Sequence, residues 1–159
     1  MDAAALLDLF RSMEDDSPFV LLDAGERTTS ISEQREEIRS ILAQDNQMMW
    51  VIEDGPELVA WLGAWGERYR RVRHSVLIGV GVRKGYRRKG LGAALFTQLE
   101  KWAGKHGISR LELVVAVENV PAIALYEKMG FEIEGVKRKS YRIGTERVDE
   151  YLMAKLLGR

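Results

Sequence analysis

Val80-Gly81-Val82-Arg83-Lys84-Gly85-Tyr86-Arg87-Arg88-Lys89-Gly90-Leu91-Gly92-Ala93 runs from an apolar strand end, through a basic loop, into the start of an amphipathic helix. The helix is predicted over residues 90–102, because Leu91, Leu95, Leu99 and Trp102 recur at helical spacing. The first turn of any helix leaves backbone N–H groups unpaired and carries a partial positive charge. Small residues let an anion approach those groups, and Arg87, Arg88 and Lys89 add full charges. The stretch therefore reads as a pyrophosphate site at the start of the Gly90 helix, or else as a solvated basic turn. Gly79 and Gly81 share one face of the preceding strand and suggest a close backbone approach or a splayed strand there.

Outward from this stretch the chain reads as alternating elements. Residues 75–82 are the strand before the loop, and residues 110–117 form the next strand, with Leu111, Leu113, Val115 and Val117 on one face. Strand, helix and strand make a βαβ unit with a parallel pair. Gly104 and Gly107 are expected to end the intervening helix. Upstream, residues 3–13 are helical, with Leu6, Leu7, Phe10 and Met13 on one side. Residues 19–23 read as a short strand. Ser30 or Ser32 caps a second helix reaching Gln44, whose apolar positions are Ile31, Ile38, Ile41 and Leu42. Asp54-Gly55-Pro56 separates apolar runs at 48–53 and 58–65, a predicted hairpin. Downstream, Pro121 opens a helix to Lys128 that Gly130 stops, and strands at 131–137 and 147–156 flank Gly144. The expected fold class is α/β (α+β): a mixed sheet of six or seven strands flanked by helices, in a single domain over residues 1–159.

Bulk composition narrows the function. The 24 basic and 24 acidic side chains cancel, so no global field recruits nucleic acid or an anionic membrane. The chain has no cysteine, which removes disulfides, thiolate metal sites and a cysteine nucleophile, and is compatible with the cytoplasm. No leader pattern or membrane-length apolar run is visible. P-loop and dinucleotide glycine patterns are absent, and no His/Cys/carboxylate cluster has metal-ligand spacing, so no metal is expected.

A second segment, Glu118-Asn119-Val120-Pro121-Ala122-Ile123-Ala124-Leu125-Tyr126-Glu127-Lys128-Met129-Gly130-Phe131, gives the first its context. Arg87-x-x-Gly90-x-Gly92 resembles the R/Q-x-x-G-x-G/A signature of the GNAT superfamily of N-acetyltransferases. The second segment is similar to that family's N-x-x-A-x-x-x-Y-x-x-x-G-F block and fills every fixed position. Arg88 departs from the family, which often has glycine there.

The resemblance implies a sheet whose central parallel pair splays around acetyl-CoA. It implies an acetyl-CoA site made from Val80, Gly81, Val82, Arg87, Arg88, Lys89, Gly90, Leu91, Gly92, Ala93, Asn119, Ala122 and Tyr126. The Val82 strand end would bind the carbonyl oxygen, and Asn119 would contact the pantetheine arm or an ordered water, with or without capping its helix. Tyr126 would be the catalytic acid that protonates the leaving sulfur; otherwise it is a helix residue whose hydroxyl a neighbour satisfies.

The general base stays open among Glu53, Glu67, His74, Glu118, Asp149 and Glu150. Residues 74–156 resemble bacterial family members that acetylate amino acids and other small amines, with direct transfer to a primary amine. A protein or peptide acceptor, or an acyl-CoA-binding module without turnover, is the alternative. A homodimer is a family tendency only. Trp50, Trp61 and Trp65 either line an apolar acceptor pocket or pack the core.

Overall fold

The computed structural model describes residues 1–158. In chain order the elements are α1 (Ala3–Asp16), α2 (Ile31–Leu42), β1 (Gln47–Asp54), β2 (Glu57–Gly66), β3 (Ser75–Val82), α3 (Leu91–Lys105), β4 (Arg110–Ala116), α4 (Val120–Lys128), β5 (Glu132–Ile143) and β6 (Glu146–Leu156). The strands form one mixed six-stranded sheet in the order β1-β2-β3-β4-β6-β5. All neighbours are antiparallel except β3 and β4. No helix among the described residues is long and apolar enough to cross a membrane.

The parallel pair is short. Ser75, Val76 and Leu77 pair with Arg110, Leu111 and Glu112, and there the ladder stops. β3 continues alongside β2, whose Ala60 opposes Val82. β4 continues alongside β6, whose Glu150 opposes Ala116. The centre of the sheet therefore opens into a V, and the edges of β3 and β4 that face the gap keep unpaired backbone groups.

Helices cover both faces. On one side, α3 and α4 pack Leu95, Phe96, Leu99, Trp102 and Tyr126 against Val76, Leu111, Leu113 and Met153. Phe96 is fully buried; such a side chain contributes about 1.5–3 kcal/mol through removal from water. On the other side, α1 and α2 pack Leu6, Leu9, Phe10, Ile38 and Ile41 against Met49 and Leu58.

The helix ends follow local chemistry. Asp2 caps α1 by accepting from the N–H groups of Ala4 and Ala5. Of the two candidate serines, Ser30 caps α2, in a reciprocal capping box with Glu33. The backbone N–H of Ser30 holds the Glu33 carboxyl below its ordinary pKa.

Several sequence expectations change. Ile31 and Leu42 are half exposed; Gln34 replaces them in the buried stripe with Ile38 and Ile41. Leu42 lies about 100° round the helix from Ile41, off the packed stripe. Residues 19–23 are turns and bends rather than a strand, because the carbonyls of Pro18 and Val20 meet the Tyr141 hydroxyl instead of a neighbouring strand. Gly104 lies inside α3, and Gly107, at φ +71°, makes the turn that follows. β5 runs on to Ile143, because a bulge between Lys137 and Tyr141 lets its pairing with β6 resume.

Candidate active site

The loop between β3 and α3 ends in a left-handed residue. Gly85 has φ +92°, Arg88 φ 62° and Gly90 φ 76°. Gly90 is the N-cap of α3, and no side chain caps that helix end. Its first N–H groups are therefore free for an anion, beside the exposed Arg87, Arg88 and Lys89. The Arg87 Nε donates to the Val82 carbonyl at 3.3 Å, tying the loop to the strand end. Arg83 turns away from the loop: its guanidinium meets Asp8 of α1 at 2.9 Å.

Gly90 owes its identity to backbone conformation, since a Cβ there would meet open space. Gly92 is different. A Cβ on it would come within 2.7 Å of the Leu125 side chain, so its smallness serves the contact of α3 with α4. Gly79 and Gly81 lie where β3 has parted from β4, as the splayed strand was expected to, and they also meet close neighbours. A Cβ on Gly79 would lie 2.8 Å from Trp61, and one on Gly81 would lie 2.6 Å from the Met13 sulfur and 2.8 Å from the Trp61 Nε1. These glycines accommodate side chains of the α1 face.

A cavity of about 750 Å³ occupies the V and its surroundings. Its walls include Ile78, Gly79 and Val80 of β3, Leu113 to Ala116 of β4, and Asn119 and Tyr126 beyond them. On the α1 face they include Phe10, Met13, Trp61, Trp65 and the segment at 19–22. The space thus joins the two faces of the sheet through its opened centre.

Tyr126 sits in an aromatic cluster, with ring centroids 5.9 Å from Phe96 and 6.1 Å from Phe131. Burial pushes its hydroxyl pKa up to about 12, so it is a proton carrier at neutral pH. Among the described residues, no group of the protein hydrogen-bonds that hydroxyl. Asn119 is the N-cap of α4 by position, yet its side chain makes no capping bond, and it lines the same cavity. Leu91 and Ala122 pack against the α3/α4 core, and Ala93 accepts the Thr97 hydroxyl at 3.0 Å through its carbonyl.

The tryptophans divide between the faces. Trp61 and Trp65 meet edge to face at 6.1 Å on the cavity wall. Trp50 packs on the other side of the sheet against Trp102, at 5.6 Å.

Of Glu53, Glu67, His74, Glu118, Asp149 and Glu150, Glu150 alone lies on the cavity wall. Residues 17–30 carry no site signal in the sequence, yet they roof the α1 side, with Phe19 to Leu22 and Arg27 on the cavity wall. The Tyr141 hydroxyl reaches the carbonyls of Pro18, at 2.8 Å, and Val20. Arg142 meets Asp23 at 3.3 Å. Arg27 donates to the buried Glu14 at 2.7 Å and lies over the Phe10 ring at 4.8 Å. Tyr141, Glu14 and Arg27 carry no local motif, and only their contacts reveal the roof.

The opened parallel pair, the left-handed turn into α3 and the Asn119-to-Phe131 segment together define a member of a known family. The sequence pattern of the acetyltransferase (GNAT) family matches residues 7–131, and the chain belongs to that family. It is 36% identical, over 94 residues, to the L-amino acid N-acetyltransferase AaaT of Escherichia coli, covering 57% of this chain and 56% of that protein. It is 38% identical, over 80 residues, to the ribosomal protein bS18-alanine N-acetyltransferase of Escherichia coli, covering 50% of this chain and 54% of that one. The matched region thus spans little more than half the length of these relatives. A crystal structure of a GNAT-family acetyltransferase from Streptococcus pneumoniae superposes with a TM-score of 0.94 at 30% identity, covering 99% of this chain and 94% of that one.

Proposed function

We propose that this protein transfers the acetyl group of acetyl-CoA directly to the primary amine of a small molecule. The observation that carries the proposal is the cavity through the opened sheet, with the unpartnered Tyr126 hydroxyl on its wall.

The residues fit acetyl-CoA. The free N–H groups at the start of α3, with Arg87, Arg88 and Lys89 beside them, suit its pyrophosphate. The unpaired backbone edge of residues 78–82 suits a pantetheine amide arm, and Asn119 offers an uncommitted side-chain amide. Transfer to an amine passes through a tetrahedral species. Backbone N–H at the β3 end supports its oxyanion, and Tyr126 gives a proton to the departing sulfur.

The roof at residues 17–30 supports a small acceptor over a peptide, because a peptide needs an open groove. The apolar wall of Phe10, Trp61 and Trp65 supports an acceptor with an apolar part. Use of acetyl-CoA supports a cytoplasmic setting.

The test is CoA thiol release from acetyl-CoA with free amino acids, polyamines, aminoglycosides and short peptides. Turnover confined to small amines is the expected result. Turnover confined to peptides would replace the acceptor assignment. Tight acetyl-CoA binding with no turnover across the panel would favour a binding module.

A further inference from the structure

Three glutamates stand on the cavity wall: Glu14, Glu37 and Glu150. Glu14 is committed to Arg27. Glu37 accepts from the Gln34 Nε2 at 3.1 Å and belongs to α2, an outer element. Glu150 lies on β6 of the sheet itself. It opposes Ala116, the last residue of β4, where β4 has already parted from β3.

Alternation along β6 gives Glu150 its direction. Tyr151 and Met153 face the α3/α4 core, so Glu150 faces the α1 side. Tyr126 belongs to the α3/α4 core. The two groups therefore border one cavity from opposite faces of the sheet.

The β5 bulge holds Glu150 in place. Lys139 adopts φ 51°, and its N–H donates to the Asp149 carboxylate at 2.8 Å. That local turn brings the Ser140 hydroxyl to 2.9 Å from the Glu150 Oε1.

We infer that Glu150 is the general base of the transfer and that Ser140 is its positioning residue. This deepens the acetyltransferase reading and rests on it. The acceptor arrives as an ammonium ion and gives one proton to Glu150, which passes it to water. The freed lone pair forms the N–C bond to the acetyl carbon, whose oxygen becomes the oxyanion. As the C–S bond breaks, Glu150 takes the second nitrogen proton and the sulfur takes the proton of Tyr126. Glu150 returns that second proton through water to the phenolate, and the sum is amide, CoA thiol and the one proton first passed to water. The other titratable groups on this wall are Lys137 and Tyr141 of β5, Glu14 of α1, Glu37 of α2, Arg27 and Tyr126.

The experiment compares wild type, Glu150→Gln and Ser140→Ala with an acceptor that the wild type turns over. Acetyl-CoA affinity is measured alongside. Glu150→Gln is expected to bind acetyl-CoA as the wild type does and to lose about 10²-fold or more in kcat/KM at neutral pH. Its rate should then climb roughly tenfold per pH unit, as the amine loses its proton unaided. Ser140→Ala should lose less, and the double variant should be no slower than Glu150→Gln alone. Wild-type kcat/KM in Glu150→Gln, or a loss with no pH-dependent recovery, would overturn the assignment and leave the acetyltransferase reading standing. Lost acetyl-CoA binding in the wild type itself would remove the reading and this inference together.

Discussion

The ring of Trp65 occupies the space beside the α-carbon of Gly63: a Cβ there would lie 2.4 Å from its Cη2 and under 3 Å from two further ring atoms. The residues sit two apart on β2, so both face the α1 side. A rigid indole has no flexible end to move aside. Gly63→Ala should therefore destabilise the fold by about 1–3 kcal/mol. The urea midpoint measures it, and most of the loss should disappear in a Trp65→Leu background. An equal loss in both backgrounds would assign the penalty elsewhere.

Tyr126 gives a pH prediction with a definite sign. Its folded pKa is raised from 10.0 to about 12 by burial, so the fold favours the neutral phenol. That contribution is fully present below about pH 10 and is lost as pH rises towards 12. Tyr86, hydrogen-bonded to Asp54, and the partly buried Tyr141 shift in the same direction. Unfolding midpoints from pH 8 upwards should fall less steeply in Tyr126→Phe than in the wild type. The same substitution should lower kcat by about 10²-fold while leaving acetyl-CoA affinity near wild type. Unchanged kcat would remove the acid role.

Arg88 holds a left-handed conformation, at φ 62°, that costs a non-glycine residue roughly 1–2 kcal/mol. Glycine relieves that strain but adds disorder to the unfolded chain. Arg88→Gly should thus stabilise the protein by about 1 kcal/mol or less. It should also weaken acetyl-CoA binding several-fold at low salt, through loss of one cation, with the difference shrinking as salt is added. Calorimetry and thermal melts read the two effects separately. Stronger binding in the variant would show that Arg88 is outside the anion site.

Much of the architecture was legible because it is written in local patterns. The Leu91-to-Trp102 stripe, the Asp54-Gly55-Pro56 turn and the Pro121-to-Gly130 helix each carry their own periodicity or stop signal. The phosphate-type loop was legible because its chemistry is contiguous in the chain. Failures came where a neighbour decided. Residues 19–23 have strand-like composition but no strand to pair with, and Ile31 and Leu42 fall outside the buried stripe that Gln34 joins.

By itself, then, the sequence determined the class of fold, the parallel unit around the basic loop and the pairing of that loop with the Tyr126 helix. These depend on periodicity and on residues close together in the chain. Only the tertiary structure decided that β3 and β4 part after Leu77 and Glu112, that residues 17–30 roof one side, and that Glu150 rather than five other candidates reaches the cavity. Those outcomes depend on which strand lies beside which and on how far their ladders run. They are settled by contacts between distant residues, which no local pattern encodes.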